Sequence, residues 1–229
     1  MKCLSLTALK IKTKEDVMEA IEKIKEELKG KEIELSSLDK DRTALFVVDM
    51  VNGFVYSGAL ASPRVAAIVE NLAELNKRMK GYKKVFFLDT HNENSKEFCS
   101  FPPHCIKGEE EAELIPELKT EDSEGEEIYY VEKNSTNGFH AEGFKEWINK
   151  YEDTVDNYII TGCVTDICVL QFSLTLKSYF NEKNKEKRLI VPINSVETYD
   201  GGTHDGDLIN LFALYNMHTS GIEVVDRII

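Results

Sequence analysis

Six short apolar runs punctuate the chain, each bounded by charged or turn-forming residues. Ala44 to Val48 is apolar at every position, which suits a strand covered on both faces rather than one with a solvated side. Val85 to Leu88, Ile128 to Val131, Tyr158 to Ile160, Leu189 to Ile193 and Ile222 to Val225 repeat the pattern. Between them lie stretches with helical spacing: from Ser62-Pro63 to about Lys80, then 141–151, 166–180 and 204–217. Pro63 suits a first helical turn, and Gly81 follows as a stop. Strands alternating with helices imply right-handed β-α-β units. The pattern therefore predicts an α/β fold, a three-layer α/β/α sandwich around a mostly parallel six-stranded sheet.

Residues 1–40 precede this alternation and read as an N-terminal extension to a domain spanning 41–229. Thr13 and Asp16 have the spacing of a capping box, and Val17, Ile21, Ile24 and Leu28 form one apolar stripe ending near Gly30. Such a helix needs a surface to cover, on the domain or on a second subunit. A homo-oligomer is one expectation.

The hydrophobic fraction of 42% and charged fraction of 30% are those of a soluble globular protein. No apolar run is long enough to span a bilayer, and the N-terminus lacks a signal-peptide core. Five cysteines without a regular framework fit a reducing compartment, so the cytoplasm is expected. A net charge of −13 argues against nucleic acid or a membrane surface as partner. Two acidic runs, Glu109-Glu110-Glu111 and Glu121 to Glu127, read as solvated surface.

In parallel sheets, ligands bind beyond the carboxyl ends of the strands. Asp49 ends the first run, Asp89 and His91 the second, Lys133 follows the third, and Cys168 lies past the fourth. Cys168 sits just beyond a glycine-bearing turn, Thr161-Gly162-Cys163-Val164-Thr165-Asp166-Ile167-Cys168-Val169, near the start of a helix. Positive potential there favours thiolate over thiol, which makes Cys168 a candidate nucleophile.

Three stretches carry a resemblance: Leu45 to Phe54 around Asp49, Glu132-Lys133, and Thr161 to Val169. Together they resemble the isochorismatase-like cysteine hydrolases, and among these the nicotinamidases, over residues 42 to 226. The resemblance implies Asp49 as catalytic base, Lys133 as charge partner and Cys168 as the nucleophile that forms a thioester. It also implies an oxyanion hole from the backbone N–H groups of Val164 and Cys168, a cis peptide between Cys163 and Val164, and a substrate ring held between Phe54 and Phe101.

Asp89, His91, Glu97 and His104 form a second constellation. Two imidazoles and two carboxylates make a mixed N/O set suited to zinc, manganese or iron. The resemblance implies that such a metal binds the pyridine nitrogen of nicotinamide, and that the activity is amide hydrolysis within NAD salvage. The chain departs from the family where Gly108-Glu109-Glu110-Glu111 replaces a Gly-Thr-x-Gly turn. It departs again at Phe172-Ser173 and Thr175-Leu176, where smaller residues are usual. Two other readings stay open: a metal-independent hydrolase of another small amide or carbamoyl compound, and a non-enzymatic assembly protein.

Overall fold

The computed structural model describes residues 13–119 and 127–229. Cys3 and most of the second acidic run, Glu121 to Glu126, lie outside the described residues. The six apolar runs form β2 (Thr43–Val48), β3 (Lys83–Asp89), β4 (Ile128–Lys133), β5 (Asn157–Cys163), β6 (Arg188–Pro192) and β8 (Glu223–Val225). Their order across the sheet is β4-β3-β2-β5-β6-β8, and every neighbouring pair is parallel.

The reason for the unbroken apolar runs is visible in β2, which is buried at all its positions. Ala44, Phe46 and Val48 point into one core layer, with Phe87, Trp147, Tyr158 and Phe172. Leu45 and Val47 point into the other, with Leu72, Leu75, Phe86 and Ile159. Alternation along a strand thus feeds two cores at once. Helices α5 (Glu142–Tyr151) and α6 (Leu170–Glu182) cover the first layer and α4 (Val69–Arg78) the second.

The structure amends the expected elements in three places. A short strand, β7 (Val196–Glu197), pairs with the end of β5 and makes the sheet seven-stranded. The helix expected from Pro63 to about Lys80 breaks into α3 (Pro63–Ala66) and α4. Between them the Ala67 and Ile68 N–H groups bond three residues back, to Arg64 and Val65, which tightens the backbone into a turn. Third, the Glu109–Glu111 run is not wholly solvated: Glu111 is half-buried and its carboxylate accepts from the Cys105 N–H at 3.2 Å.

The N-terminal helix α1 (Lys14–Leu28) starts with the Thr13–Asp16 capping box. Leu28 is buried in the first core layer, whereas Val17 and Met18 are exposed. After it, β1 (Glu32–Ile33) pairs with β9 (Arg227–Ile228), and Leu35 and Leu38 enter the second core layer. The later part of the expected extension is therefore woven into the domain. The last helix is α7 (Gly206–Thr219), and His218 on it meets Glu27 of α1 at 3.3 Å. Among the described residues, no helix is long and apolar enough to cross a membrane.

Candidate active site

Parallel register carries the chemistry-bearing residues to one edge of the sheet. Asp49 follows β2, Asp89 and Lys133 end β3 and β4 and face each other in register, and Cys168 lies past β5. Gly162 makes the close approach of β5 to β2 possible. Its φ is +105°, and a Cβ there would fall 2.0 Å from the Val48 carbonyl oxygen. The Cys163–Val164 peptide is cis. The chain then enters a wide turn, Thr165–Val169, in which the Val169 N–H reaches back five residues to the Val164 carbonyl at 3.2 Å. Cys168 is on this turn, one residue before the last, and α6 continues from it.

Lys133 is the hub. Its Nζ stands 2.8 Å from Asp49 Oδ2, 2.6 Å from Asp89 Oδ1 and 4.0 Å from Cys168 Sγ. Asp49 is fully buried, Lys133 is 2% exposed and Cys168 7%. Burial alone would push the Lys133 ammonium down. The facing carboxylates of Asp49 and Asp89 override that and hold it well above the ordinary lysine value. Asp49 goes the other way: burial raises its carboxyl to about 7, with Lys133 opposing only in part. Apart from Lys133 and Cys168, no group among the described residues donates to it.

The thiol corrects the expectation from sequence. Burial pushes Cys168 well above the usual cysteine value, with Lys133 pulling down and Asp49 pushing up. Burial therefore opposes the thiolate that position at a helix start would favour. Such a nucleophile needs a base in contact with it, and Asp49 faces it with a carboxyl poised near neutrality.

The second constellation is assembled locally. The chain after β3 folds back on itself: the His91 N–H donates to the Cys105 carbonyl, and the Lys107 N–H to the His91 carbonyl, both at 2.8 Å. That pairing brings His104 beside His91. Ser95 caps the turn Lys96–Cys99 by accepting from the Glu97 N–H, which fixes Glu97 opposite. One ligand atom from each of Asp89, His91, Glu97 and His104 lies within 4.8 Å of the others. His104 Nδ1–H donates to the Pro102 carbonyl at 2.7 Å, and His91 Nδ1–H to Asn134 Oδ1 at 2.9 Å. Both Nε2 atoms are thereby turned inward, 2.9 and 3.0 Å from Asp89 Oδ2. Two imidazole nitrogens and two carboxylates converging on one point make a set that could hold a cation. The electrostatics agree. Burial opposes charge on His91, yet Asp89, Asn134 and Glu97 raise it above the usual histidine value.

Asp89 belongs to both groups, with Oδ1 on Lys133 and Oδ2 on the histidines. A pocket of about 610 Å³ opens over them, lined among others by Phe54, Phe101, His104, Ile167 and Cys168. It is of the size and largely apolar character that small-molecule sites have.

Comparison with known proteins accounts for this arrangement. The model of the isochorismatase domain matches residues 43–220. The chain belongs to the isochorismatase family. It is 28% identical to Nicotinamidase 1 of Arabidopsis thaliana over 90% of this chain and 95% of that protein. It is 30% identical to the nicotinamidase/pyrazinamidase of Mycobacterium tuberculosis over 56% of this chain and 75% of that one. In fold it matches a pyrazinamidase of Pyrococcus horikoshii solved in complex with zinc, with TM-score 0.64 and 22% identity over 80% of this chain and 98% of that chain.

Within this isochorismatase fold, the site residues expected from the sequence line the pocket, except Asp49 and Lys133, which form the hub, and His91, which contacts Asp89. Cys99 is exposed and the Cys105 side chain is buried with Val51 and Ala112; neither is one of the four converging donors. Cys163 donates its S–H to the Asp49 carbonyl at 3.1 Å. Asn134, which orients His91, and the outer pocket wall of Arg64, Tyr199 and Asp200 were not foreseen. Asn134 was findable, because it adjoins Lys133 at the end of a strand already singled out. The wall was not: Tyr199 and Asp200 come from a loop with no periodic pattern, and nothing marks Arg64 out from the other charged residues of the expected helix.

Proposed function

We propose that this isochorismatase-family protein is a nicotinamidase, hydrolysing nicotinamide to nicotinate and ammonia in NAD salvage, in the cytoplasm. Asp49 takes the proton from Cys168 Sγ as the sulfur attacks the carboxamide carbon. The new oxyanion is received by the N–H groups of Val164 and Cys168, donors of the kind worth about 3 kcal/mol each in acyl transfer. As the C–N bond breaks, Asp49 passes its proton to the departing ammonia, leaving a thioester on Cys168. Asp49 next takes a proton from water, whose oxygen attacks the thioester carbon. The C–S bond breaks, nicotinate leaves and the thiol is restored. Lys133 holds Asp49 beside the thiol throughout and keeps the buried carboxylates neutralised as a set.

Asp89, His91, Glu97 and His104 would hold a divalent cation, zinc in our reading ahead of manganese or iron, and Phe54 and Phe101 would flank the substrate ring. The cation would supply a Lewis-acid site for the pyridine nitrogen and so orient the carboxamide toward Cys168. The observation that carries the proposal is Lys133 itself, in contact with Asp49 and Asp89 at once and 4.0 Å from Cys168 Sγ. It couples an acyl-transfer pair to a ring-binding metal cluster in one pocket. An ammonia-release assay with nicotinamide, run alongside elemental analysis, tests it. Turnover with bound divalent metal supports the reading. A metal-loaded protein that releases no ammonia from nicotinamide overturns it.

A further inference from the structure

The turn that carries Cys168 is fastened to a neighbouring loop of the pocket wall by a carboxylate that the reaction itself does not use. Asp166, two residues before Cys168, has both oxygens engaged by a single loop. Oδ1 accepts from Thr198 Oγ1 at 2.5 Å, and Oδ2 meets His204 Nε2 at 3.0 Å. The loop arrives there because β7 runs alongside β5, pairing Glu197 with Cys163 immediately before the nucleophile turn. His204 Nδ1 meets the Tyr199 carbonyl at 2.9 Å, and its ring stacks on the Tyr199 ring with centroids 4.0 Å apart and planes 8° from parallel. Both nitrogens face groups that only accept. The ring is thereby held at both edges, by the Tyr199 carbonyl on one side and the Asp166 carboxylate on the other. Tyr199 and Asp200 line the same pocket as Cys168 and Ile167. Thr198 is fully buried, and Asp166 and His204 are half-buried, so the fastening is partly shielded from solvent.

We propose that His204 is a positioning residue: through Asp166 it locks the nucleophile turn Thr165–Val169 to the pocket wall carrying Tyr199, so that thiol and substrate ring are held in one register. This rests on the reading of Cys168 as nucleophile. A thiol displaced by a fraction of an ångström from its attack line loses rate steeply, roughly 100-fold for 1 Å. Loss of the lock therefore falls mainly on kcat, while the loosened wall adds a smaller rise in KM.

The test uses the full-length, metal-loaded enzyme and the variants His204→Ala, His204→Gln, His204→Asn, Asp166→Asn and the double variant Asp166→Asn/His204→Ala. Steady-state ammonia release gives kcat and KM, and hydrogen exchange reads residues 164–170 and 198–206 separately. We expect His204→Ala to lower kcat about tenfold with less than threefold change in KM. His204→Gln should recover much of this, because its amide N–H can still donate to Asp166. His204→Asn, whose amide sits at the Nδ1 position, should not. The double variant should be no slower than the slower single variant. Exchange should rise in both segments together. A kcat for His204→Ala within twofold of wild type overturns the proposal. So does equal recovery by Gln and Asn, additive losses in the double variant, or faster exchange confined to 198–206. Wild-type protein inactive on nicotinamide would instead overturn the proposed function, leaving the coupling of the two segments to be judged by exchange alone.

Discussion

The two halves of the pocket are built by opposite means. Asp49, Lys133 and Cys168 come from three strands far apart in the chain, and meet only because the sheet sets β2, β3, β4 and β5 side by side. The Asp89, His91, Glu97 and His104 cluster comes from one strand end and the loop that follows it, held by its own backbone bonds and by Nδ1 donors that aim each imidazole. The first half is desolvated, and its protonation states are set by burial and one lysine. The second is a donor array that wants a cation. The groups that share protons are placed where the whole sheet enforces their geometry, and the candidate metal cluster is placed on one loop with bonds of its own. Asp89 alone belongs to both.

If the halves are separable in this way, Cys168→Ala should break one and spare the other. Turnover of nicotinamide should fall by at least ~10⁴-fold, as loss of a nucleophile does, while metal content by elemental analysis stays at the wild-type level. Asp89→Asn is the next largest and should break both. We expect a fall in kcat/KM of about 1,000-fold together with reduced metal stoichiometry, since ring orientation and the charge balance at Lys133 are lost at once. Normal metal content in that variant would show that the halves share less than the geometry implies.

The contrast sharpens with pH. Asp49 must be ionised to take the thiol proton, and burial raises it to about 7. Below that value the protonated acid accumulates, so kcat/KM should fall about tenfold per pH unit. A profile flat down to pH 5 in an otherwise stable, metal-loaded enzyme would remove Asp49 as the base. The smallest effect belongs to the ring pocket. Phe101→Leu should raise KM for nicotinamide by about three- to tenfold with little change in kcat, the scale of one lost aromatic contact.

The sequence made the first half legible because strands buried on both faces leave unmistakable apolar runs, and polar residues at their ends stand out. Asp49, Lys133 and Cys168 could be singled out for that reason. The second half was legible by donor type and spacing, Asp89 through His104. What stayed hidden depends on tertiary context. Two-residue strands such as β1, β7 and β9 have no period to detect, and the break at Ala67-Ile68 interrupts a helix whose apolar face continues through Val65, Leu72 and Leu75. Position at a helix start is legible locally, whereas the burial that opposes a thiolate at Cys168 comes from the core layers packed around it and from no feature of its own segment. Asp166 and His204, distant in sequence, become partners only through the β5–β7 pairing.

The central claim is that a buried thiol at Cys168, activated by Asp49, takes the acyl group of the substrate. Acid quench during turnover of nicotinamide, followed by mass analysis of the peptide containing Cys168, tests it most directly. The account predicts a nicotinoyl thioester on Cys168 that is absent from Cys168→Ala and decays as nicotinate appears. Turnover that proceeds in the Cys168→Ala variant, or an acyl adduct on another residue, would contradict it.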